Sequence, residues 1–544
     1  MQRQSFLPLL KDYYQHVLTH ALNPNTPLLA DGLDTLTDKP VYWTYPDGIT
    51  AIMSNFASQQ NFLRGLCGMT QVTGDEKWQQ TAEQVTHYFL DNYCDSASGL
   101  FNWGGHRFIN QQTGEIEGPA SKERVHELKH HFPFYDFLHQ VDAKKTEDFL
   151  HGFWASHVLD WQKLDLSRHG QYGQKPIDNV FAHYHPEPVV DPNKWPELPE
   201  TVGLTFVNAA TDLIYAACHY SQYTDDQHAV TWAKHLYQQF VLARNPKTGM
   251  PVYQFSSPKQ REPIPEDDKL TYSWFGDRAK RQFGPEFGEV AREANALFRD
   301  CWPVVVDNPL AILLCAKKLN DPELAAGAIA GIKAYFAHAW DTFDNQMIPM
   351  WNNGDDLTGY TFKRDGYYGE KGTELKRQPA EPAYLLPLIR ACVMSDDFEL
   401  RQLMATMFAR FELGLINPET LVVSEINPLT EIASPYLVFA LLDLHQLTQQ
   451  ESVLTLADCI ANNIVQAHYH RGYFVESSLH RFARIDDPAP YALLALEAAY
   501  KGCYDQLAVQ ISTGGYLHGE RDINGEIKTV YDRDVIYDAL IEEA

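Results

Sequence analysis

Three short segments in the first third of the chain carry side chains that could hold a metal ion. They are Gly-Gly-His-Arg around His106, His-Glu-Leu-Lys-His-His around Glu127, and Arg-His-Gly around His169. Two imidazoles and a carboxylate suit a divalent ion such as Mn, Fe, Co, Ni or Zn and leave coordination positions open for a substrate. A catalytic divalent-metal site is therefore the first hypothesis.

The second segment also matches the H-E-x-x-H pattern of zinc metalloproteases, from His126 to His130. In that class both histidines lie on one face of a continuous helix, and a third ligand follows. Pro133 comes soon after His130 and argues against a long helix. Glu147 is a weak candidate for the third ligand. The zinc protease stays as an alternative.

The charge of the chain limits its partners. It has 71 Asp and Glu against 44 Lys and Arg, a formal net charge of −27. Such a surface repels nucleic acid and anionic membranes, so we expect neither as a partner. An anionic substrate would need a locally basic or metal-bearing cleft.

Targeting signals are not evident in the sequence. The N-terminal residues contain no apolar stretch of signal-peptide length, and no window has the length and hydrophobicity of a membrane span. The eight cysteines are scattered, without a C-x-x-C pair. These features together predict a cytoplasmic protein.

The elements that must position the three segments are predicted to be helical hairpins. An apolar helical run, a polar junction, a second amphipathic run and a Gly- or Pro-containing loop recur along the chain. In the first hairpin, Trp78, Ala82, Val85 and Phe89 recur at steps of three and four and mark one helix face. Asp at a junction is a good N-cap, because its carboxylate accepts from unpaired backbone N–H groups. The predicted junctions are centred on Asp75, Glu147, Asp225, Asp321, Asp396 and Gln449.

Six hairpins, with a seventh expected near residues 488–504, predict an α/α toroid of six or seven hairpins that forms a single domain over residues 1–544. Each hairpin has one apolar face, and a closed ring buries such faces best. An open α-solenoid is the alternative. Short β segments are expected on the connections, for example at 421–423 and 527–530. Because the connections between hairpins of a toroid share one face, the three segments can converge there.

The three motifs, in this order, resemble those of polysaccharide lyase family two, the metal-dependent exo-pectate lyases built on an (α/α)7 barrel. The match consists of G-G-H-R, H-E-L-K-H-H-F-P and R-H-G, and chain length and helical character agree throughout. The resemblance implies metal ligands at His106, Glu127 and His169, with Mn²⁺ the expected ion and Ni²⁺ or Co²⁺ as alternatives. It also implies Arg168 as the Brønsted base, and exo action on polygalacturonate that releases unsaturated digalacturonate.

This chemistry is consistent with the residues, although the base is unusual. β-Elimination removes the C5 proton of galacturonate, which lies next to a carboxylate that is already negative. A metal bound to that carboxylate would offset its charge. A free guanidinium stays protonated at neutral pH, so Arg168 needs the neighbouring metal to favour its neutral form. The alternative role of Arg168 is a bidentate clamp on a substrate carboxylate.

Further substrate contacts are predicted from a later loop and from the second motif. The stretch 272–281 mixes an aromatic ring with cations, which suits an acidic sugar, and from it we select Trp274, Arg278 and Lys280. Solvated charges beside a packed tryptophan are the alternative for these three residues. His131 is predicted to contact substrate or to support the metal ligands.

Two further functions remain open on the sequence alone. A glycoside hydrolase on the same fold would need two carboxylates and no metal, and Asp355, Asp356 and Glu370 are available. A protein that binds oligogalacturonides without cleaving them would use a metal with no open position.

Overall fold

Helices dominate the protein, in a computed structural model that describes residues 3–162, 164–189, 191, 202–252, 254–257, 303–361, 371–511 and 518–541. In chain order the α-helices of these ranges are α1 (Leu7–Ala21), α2 (Gln60–Thr73), α3 (Lys77–Tyr93), α4 (Tyr135–Val141), α5 (Ala143–His157), α6 (Val180–His183), α7 (Val207–Thr224), α8 (Gln227–Leu242), α9 (Asn308–Leu319), α10 (Pro322–Ala339), α11 (Leu385–Val393), α12 (Phe398–Arg410), α13 (Pro435–Thr448), α14 (Glu451–His468) and α15 (Pro488–Tyr500).

The strands are short and lie on the connections between helices. They are β1 (Gly32–Asp34), β2 (Tyr42–Thr44), β3 (Thr50–Ser54), β4 (Phe108–Asn110), β5 (Ile116–Glu117), β6 (Val125–Glu127), β7 (Val158–Asp160), β8 (Asp165–Leu166), β9 (His169–Gln171), β10 (Val202–Phe206), β11 (Gln254–Ser257), β12 (Trp340–Asp341), β13 (Gln346–Met347), β14 (Gln378–Pro379), β15 (Leu415–Ile416), β16 (Val423–Ser424), β17 (Tyr469–His470), β18 (Tyr473–Phe474), β19 (Phe482–Arg484), β20 (His518–Ile523) and β21 (Glu526–Tyr531). The β segments predicted at 421–423 and 527–530 correspond to β16 and β21, with shifted ends.

The chain divides into two compact units. The first comprises Met1–Phe149, Gln171–Lys175 and Glu425–Ala544, and the second comprises Leu150–Gly170 and Pro176–Ser424. In the first unit α2 packs on α3, and α13 packs on α14. In the second unit the packed pairs are α7 with α8, α9 with α10, and α11 with α12. The predicted fold class of helical hairpins with short β segments on their connections is confirmed.

Junction residues start the second helix of several hairpins as expected. The carboxylate of Asp226 accepts from the backbone N–H of His228. Asp321 accepts from two backbone N–H groups at the start of α10, and Asp397 accepts from the N–H of Leu400 at the start of α12. These bonds satisfy donors that have no partner within the helix.

The junction predicted around Glu147 is wrong, because this residue lies inside α5. The break between α4 and α5 falls at Asp142, which has extended backbone angles. Its carboxylate accepts from the N–H of Lys145 at 3.0 Å, and its carbonyl accepts from Thr146 Oγ1 at 2.8 Å. Asp142 therefore takes the capping role, and the polar residues that follow it continue the helix.

Where a seventh hairpin was predicted, near 488–504, the structure has one α-helix, α15, which packs against α1, α2 and α13 in the first unit. Its Glu497 side chain is buried. Glu497 accepts from the backbone N–H of Phe6 at 2.7 Å and from the guanidinium of Arg3 at 2.7 Å. One buried carboxylate thus fixes the start of α1 to α15.

A small β layer in the first unit carries the residues discussed below. Strands β2, β3, β4 and β5 form one antiparallel sheet, and β20 pairs with β21 in a separate hairpin. Trp43, Met53 and Phe108 of the sheet region share a buried apolar cluster with Ile536. Partly buried hairpin side chains pack against this cluster at Ile523 and Val530. The sheet and the hairpin are therefore held together by apolar burial.

No helix within the described ranges combines the length and the apolar character that crossing a bilayer requires.

We expect Ile536→Ala to lower the free energy of unfolding by about 2–5 kcal/mol, because it leaves a cavity in the cluster that joins the hairpin to the sheet. Urea denaturation measures the change. Ile527→Ala is the matched control, since Ile527 is 40% exposed and its truncation should cost no more than about 0.5 kcal/mol. Equal losses in the two variants would contradict this packing.

Candidate active site

His106 lies in the loop that connects α3 to β4. Asn55 holds this loop from both sides of Gly104: its Nδ2 donates to the Gly104 carbonyl at 2.7 Å, and its Oδ1 accepts from the Gly104 N–H at 3.2 Å. Asn55 and His106 are both buried. The imidazole therefore sits on a fixed backbone rather than on a loose loop.

Glu127 is the last residue of β6 and is 4% exposed. Successive side chains of a strand point to opposite sides, so Glu127 and His126 face different environments. His126 Nε2 accepts from Trp103 Nε1 at 3.2 Å, in a buried aromatic setting. Because 125–127 form a strand, the helix that a zinc protease needs is not present and that alternative is not supported.

His106 and Glu127, two of the three predicted ligands, lie side by side. Nε2 of His106 is 3.8 Å from Oε2 of Glu127. Nζ of the buried Lys129 lies 3.4 Å from the same carboxylate oxygen. The sequence prediction that these two ligands come together from separate segments is in agreement with this geometry.

Two further residues of this cluster, His518 and Glu520, were missed by the sequence analysis. They occupy alternate positions of β20 and so project from the same side of that strand. Glu520 Oε2 is 3.1 Å from His106 Nδ1, and Glu520 Oε1 is 3.5 Å from His518 Nε2. The signal that could have found them is the Asn524-Gly525 pair, which has the two positive φ angles of a tight hairpin turn.

His106, Glu127 and His518 form a possible metal-ligand group: one donor atom of each lies within 4.8 Å of the others. All three side chains are buried. Two nitrogen donors and one carboxylate oxygen match the donor preference of borderline divalent ions. The donor set therefore fits such an ion.

Gly105 supports the same conclusion from the backbone. A Cβ at this position would come closer than 3.0 Å to Glu127 Oε2, Lys129 Nζ and His518 Cε1. A side chain here would intrude among the donors, so the absence of one leaves the ligand groups room to converge.

The surroundings shift several pKa values of this cluster. Burial raises the pKa of Glu520, but hydrogen bonds from His106 and His518 outweigh it and lower the value to about 2. Burial, followed by the charge of Lys129, lowers the pKa of His518. The same two causes lower the pKa of His131 to about 3. Glu520 is therefore ionised at neutral pH, and His131 is neutral.

Arg168, the predicted base, and His169, the third predicted ligand, belong to the second unit. Ser167 fixes their backbone: its N–H donates to the His157 carbonyl at 2.8 Å, and its Oγ accepts from the His169 N–H at 3.0 Å. The Arg168 guanidinium lies 5.9 Å from the centre of the Phe206 ring. Their roles at the metal stay predictions.

Of the four residues predicted to contact substrate, the structure describes one, His131. Trp274, Arg278 and Lys280 lie outside the described residues. His131 is partly buried, with its ring centre 5.9 Å from that of Trp103, and its contact with substrate stays a prediction.

The carboxylates proposed for a hydrolase are engaged in local contacts. Asp356 pairs with Arg377 at 3.3 Å, and Asp355 accepts from Asn353 at 2.8 Å. Both side chains are exposed. Glu370 lies outside the described residues.

Comparison with known proteins relates the chain to one family. Residues 26–520 match the family model described as periplasmic pectate lyase. Over 518 residues the chain is 51% identical to the pectate disaccharide-lyase of Dickeya dadantii (strain 3937). The aligned region covers 95% of this chain and 93% of that protein. His106, Glu127, His518 and Glu520 all fall within the range that the family model matches.

Similarity to solved structures is weaker. The superposition on an unsaturated glucuronyl hydrolase specific for heparin covers 91% of this chain and 98% of the hydrolase chain. The sequence identity is 11% and the TM-score is 0.40. The superposition on the cellobiose 2-epimerase of Bacillus thermoamylovorans B4167 covers 91% of this chain and 99% of the epimerase chain. The sequence identity is 11% and the TM-score is 0.39.

The predicted cytoplasmic location is wrong, because the matching family is described as periplasmic. The prediction depended in part on scattered cysteines without a C-x-x-C pair. Such cysteines do not distinguish the two compartments, since buried free cysteines such as Cys67 and Cys218 act as small apolar core residues in either.

We expect Gly105→Ala to weaken Mn²⁺ binding by about 10–100-fold, the range found when groups that support metal ligands are altered. The added Cβ would displace Glu127 or His518. Isothermal titration calorimetry measures the affinity. Gly48→Ala is the control for adding a methyl group away from the cluster, because a Cβ at Gly48 would contact nothing within 4 Å, although Gly48, unlike Gly105, has a positive φ angle. Unchanged binding in the Gly105 variant would exclude this cluster as the metal site.

Proposed function

The chain belongs to the periplasmic pectate lyase family, and on this basis we propose that it cleaves polygalacturonate by metal-assisted β-elimination and releases unsaturated digalacturonate. The observation that carries the proposal is the buried contact between His106 and Glu127, which joins two motifs distant in sequence into one ligand group. The disaccharide product is taken from the name of the 51% identical relative.

The proposed metal ligands are His106, Glu127 and His169, and the proposed ion is Mn²⁺, with Ni²⁺ or Co²⁺ as alternatives. A divalent ion at this position supplies Lewis-acid charge to the galacturonate carboxylate next to the reacting C5. His106 and Glu127 are buried, so they hold their donor atoms away from competing water. Imidazole and carboxylate ligands leave positions open for substrate oxygens.

Local charge explains how an acidic protein can bind a polyanion. Glu127 and Glu520 contribute two negative charges to the cluster, and Lys129 contributes one positive charge. These charges leave the cluster with a net negative charge, and a bound divalent ion would make that net charge positive. Loading the site would therefore create a positive pocket in a chain of net charge −27.

Arg168 is the proposed base that removes the C5 proton. A guanidinium is protonated in water, so the residue acts as a base only if a neighbouring cation favours its neutral form. His169, the next residue, would bring the ion close enough to do this. The competing role, a bidentate clamp on a substrate carboxylate, requires the charged form.

We expect Mn²⁺ to promote a rise in ultraviolet absorbance from polygalacturonate, because elimination creates a conjugated double bond. Glu127→Ala should abolish both this signal and Mn²⁺ binding, since it removes a ligand. His130→Ala is the matched control from the same segment and should retain the metal. New reducing ends without the absorbance change would indicate hydrolysis and reject the proposal.

Arg168→Lys should reduce kcat by about 10²–10⁴-fold, the usual contribution of a positioned base. It should leave Mn²⁺ affinity nearly unchanged, because Arg168 is not among the proposed metal ligands, and KM nearly unchanged, because the proposed base acts on the C5 proton and does not hold the substrate carboxylate. Steady-state kinetics over a pH series would test this expectation. Retained turnover with the same pH profile would reject Arg168 as the base.

A further inference from the structure

Glu520 connects two imidazoles of the candidate metal centre with one carboxylate. Its Oε2 lies 3.1 Å from His106 Nδ1, and its Oε1 lies 3.5 Å from His518 Nε2. The Glu520 side chain is 11% exposed. No role for Glu520 or His518 follows from the three sequence motifs.

The contact with Glu520 determines which nitrogen of His106 can bind a metal. An ionised carboxylate only accepts hydrogen bonds, so Nδ1 of His106 must carry the proton. Nε2 then holds the lone pair. It is also the nitrogen that lies 3.8 Å from Glu127 Oε2.

The same reasoning orients His518. Its Nδ1 lies 3.2 Å from Lys129 Nζ, and an ammonium group only donates. Nδ1 is therefore the acceptor, and Nε2 carries the proton towards Glu520. The lone pair of Nδ1 is directed to the side where Lys129 contacts Glu127.

We propose that the C-terminal hairpin β20–β21 completes the metal centre, with Glu520 as the positioning residue for both imidazoles and His518 as an additional nitrogen ligand through Nδ1, where the ion would replace the contact with Lys129. The inference rests on the proposed function only in assuming that the ion binds at His106 and Glu127. A carboxylate that orients a metal-bound histidine through its other nitrogen raises the basicity of the ligand and fixes its tautomer.

The hairpin is held firmly enough to position these groups. Asp522 accepts from the backbone N–H of Ala120 at 2.8 Å. Arg521 pairs with Asp47 at 3.1 Å. Gly519 lies so close to Tyr45 that a Cβ would come nearer than 3.0 Å to the phenol oxygen. Two polar contacts after Glu520 and the close approach of Gly519 before it thus tie the strand to the sheet region.

The test is Mn²⁺ titration of the full chain by calorimetry, with variants that differ in one charge. We expect Glu520→Gln to weaken binding by about 10–100-fold. Glu526→Gln removes the same charge from the same hairpin, where Glu526 contacts Lys528 at the surface, and should bind as the parent does. Equal affinity of the parent and the Glu520 variant would overturn the positioning role.

Pulsed electron paramagnetic resonance of bound Mn²⁺ tests the ligand role of His518. His518→Gln should remove one nitrogen coupling from the spectrum and weaken binding, whereas Glu520→Gln should keep the coupling. An unchanged number of nitrogen couplings in the His518 variant would exclude it as a ligand. Unfolding midpoints of all variants show whether a loss of affinity reflects loss of fold.

All titrations use a His20→Ala background. His16, His20 and Asp38 form the other possible metal-ligand group among the described residues, and its removal leaves one class of site to fit. His106→Ala and Glu127→Ala identify that class. If neither abolishes binding, the proposed metal centre itself is wrong. A different result would be that His106→Ala and Glu127→Ala both abolish binding while Glu520→Gln and His518→Gln bind Mn²⁺ as the parent does. In that case only the proposed role of the hairpin is wrong.

Discussion

A carboxylate withdrawn from water needs compensating charge or hydrogen-bond donors nearby, and this requirement governs the surroundings of Glu127. The side chain is 4% exposed. Within 4 Å of its Oε2 lie the imidazole of His106 and the ammonium of Lys129. The loop that carries His106 can approach only because Gly105 has no side chain to collide with the carboxylate. A divalent ion would satisfy the same need more strongly than these groups do.

The short strands have a larger part in the site than their size suggests. Helices provide the apolar packing of both units, but His106 and Glu127 lie in or next to the β segments that connect them. Apolar burial around Trp43 and Ile536 joins the sheet region to the C-terminal hairpin. The hairpin can therefore deliver two polar side chains, the buried His518 and the partly buried Glu520, to a site formed mainly by the first third of the chain.

Local patterns allowed much of the fold to be predicted. The hairpins follow from the spacing of apolar residues, and junction residues such as Asp321 start helices because a carboxylate accepts from free N–H groups. The error at Glu147 has the same origin. Several polar residues follow each other there, and only the chain path decides that Asp142 is the cap. The compartment was predicted wrongly because scattered cysteines do not determine it.

The sequence by itself determined the chemistry of the motifs, namely that His106 and Glu127 are metal-binding types in an order typical of one lyase family. The tertiary structure decided which neighbours they have. His518 lies about 400 residues further along the chain, and no periodicity relates it to Glu127; it reaches the cluster only because the hairpin docks by apolar burial. Local spacing predicts helices and turns, since those interactions are local. Contacts between distant segments depend on packing of the whole unit.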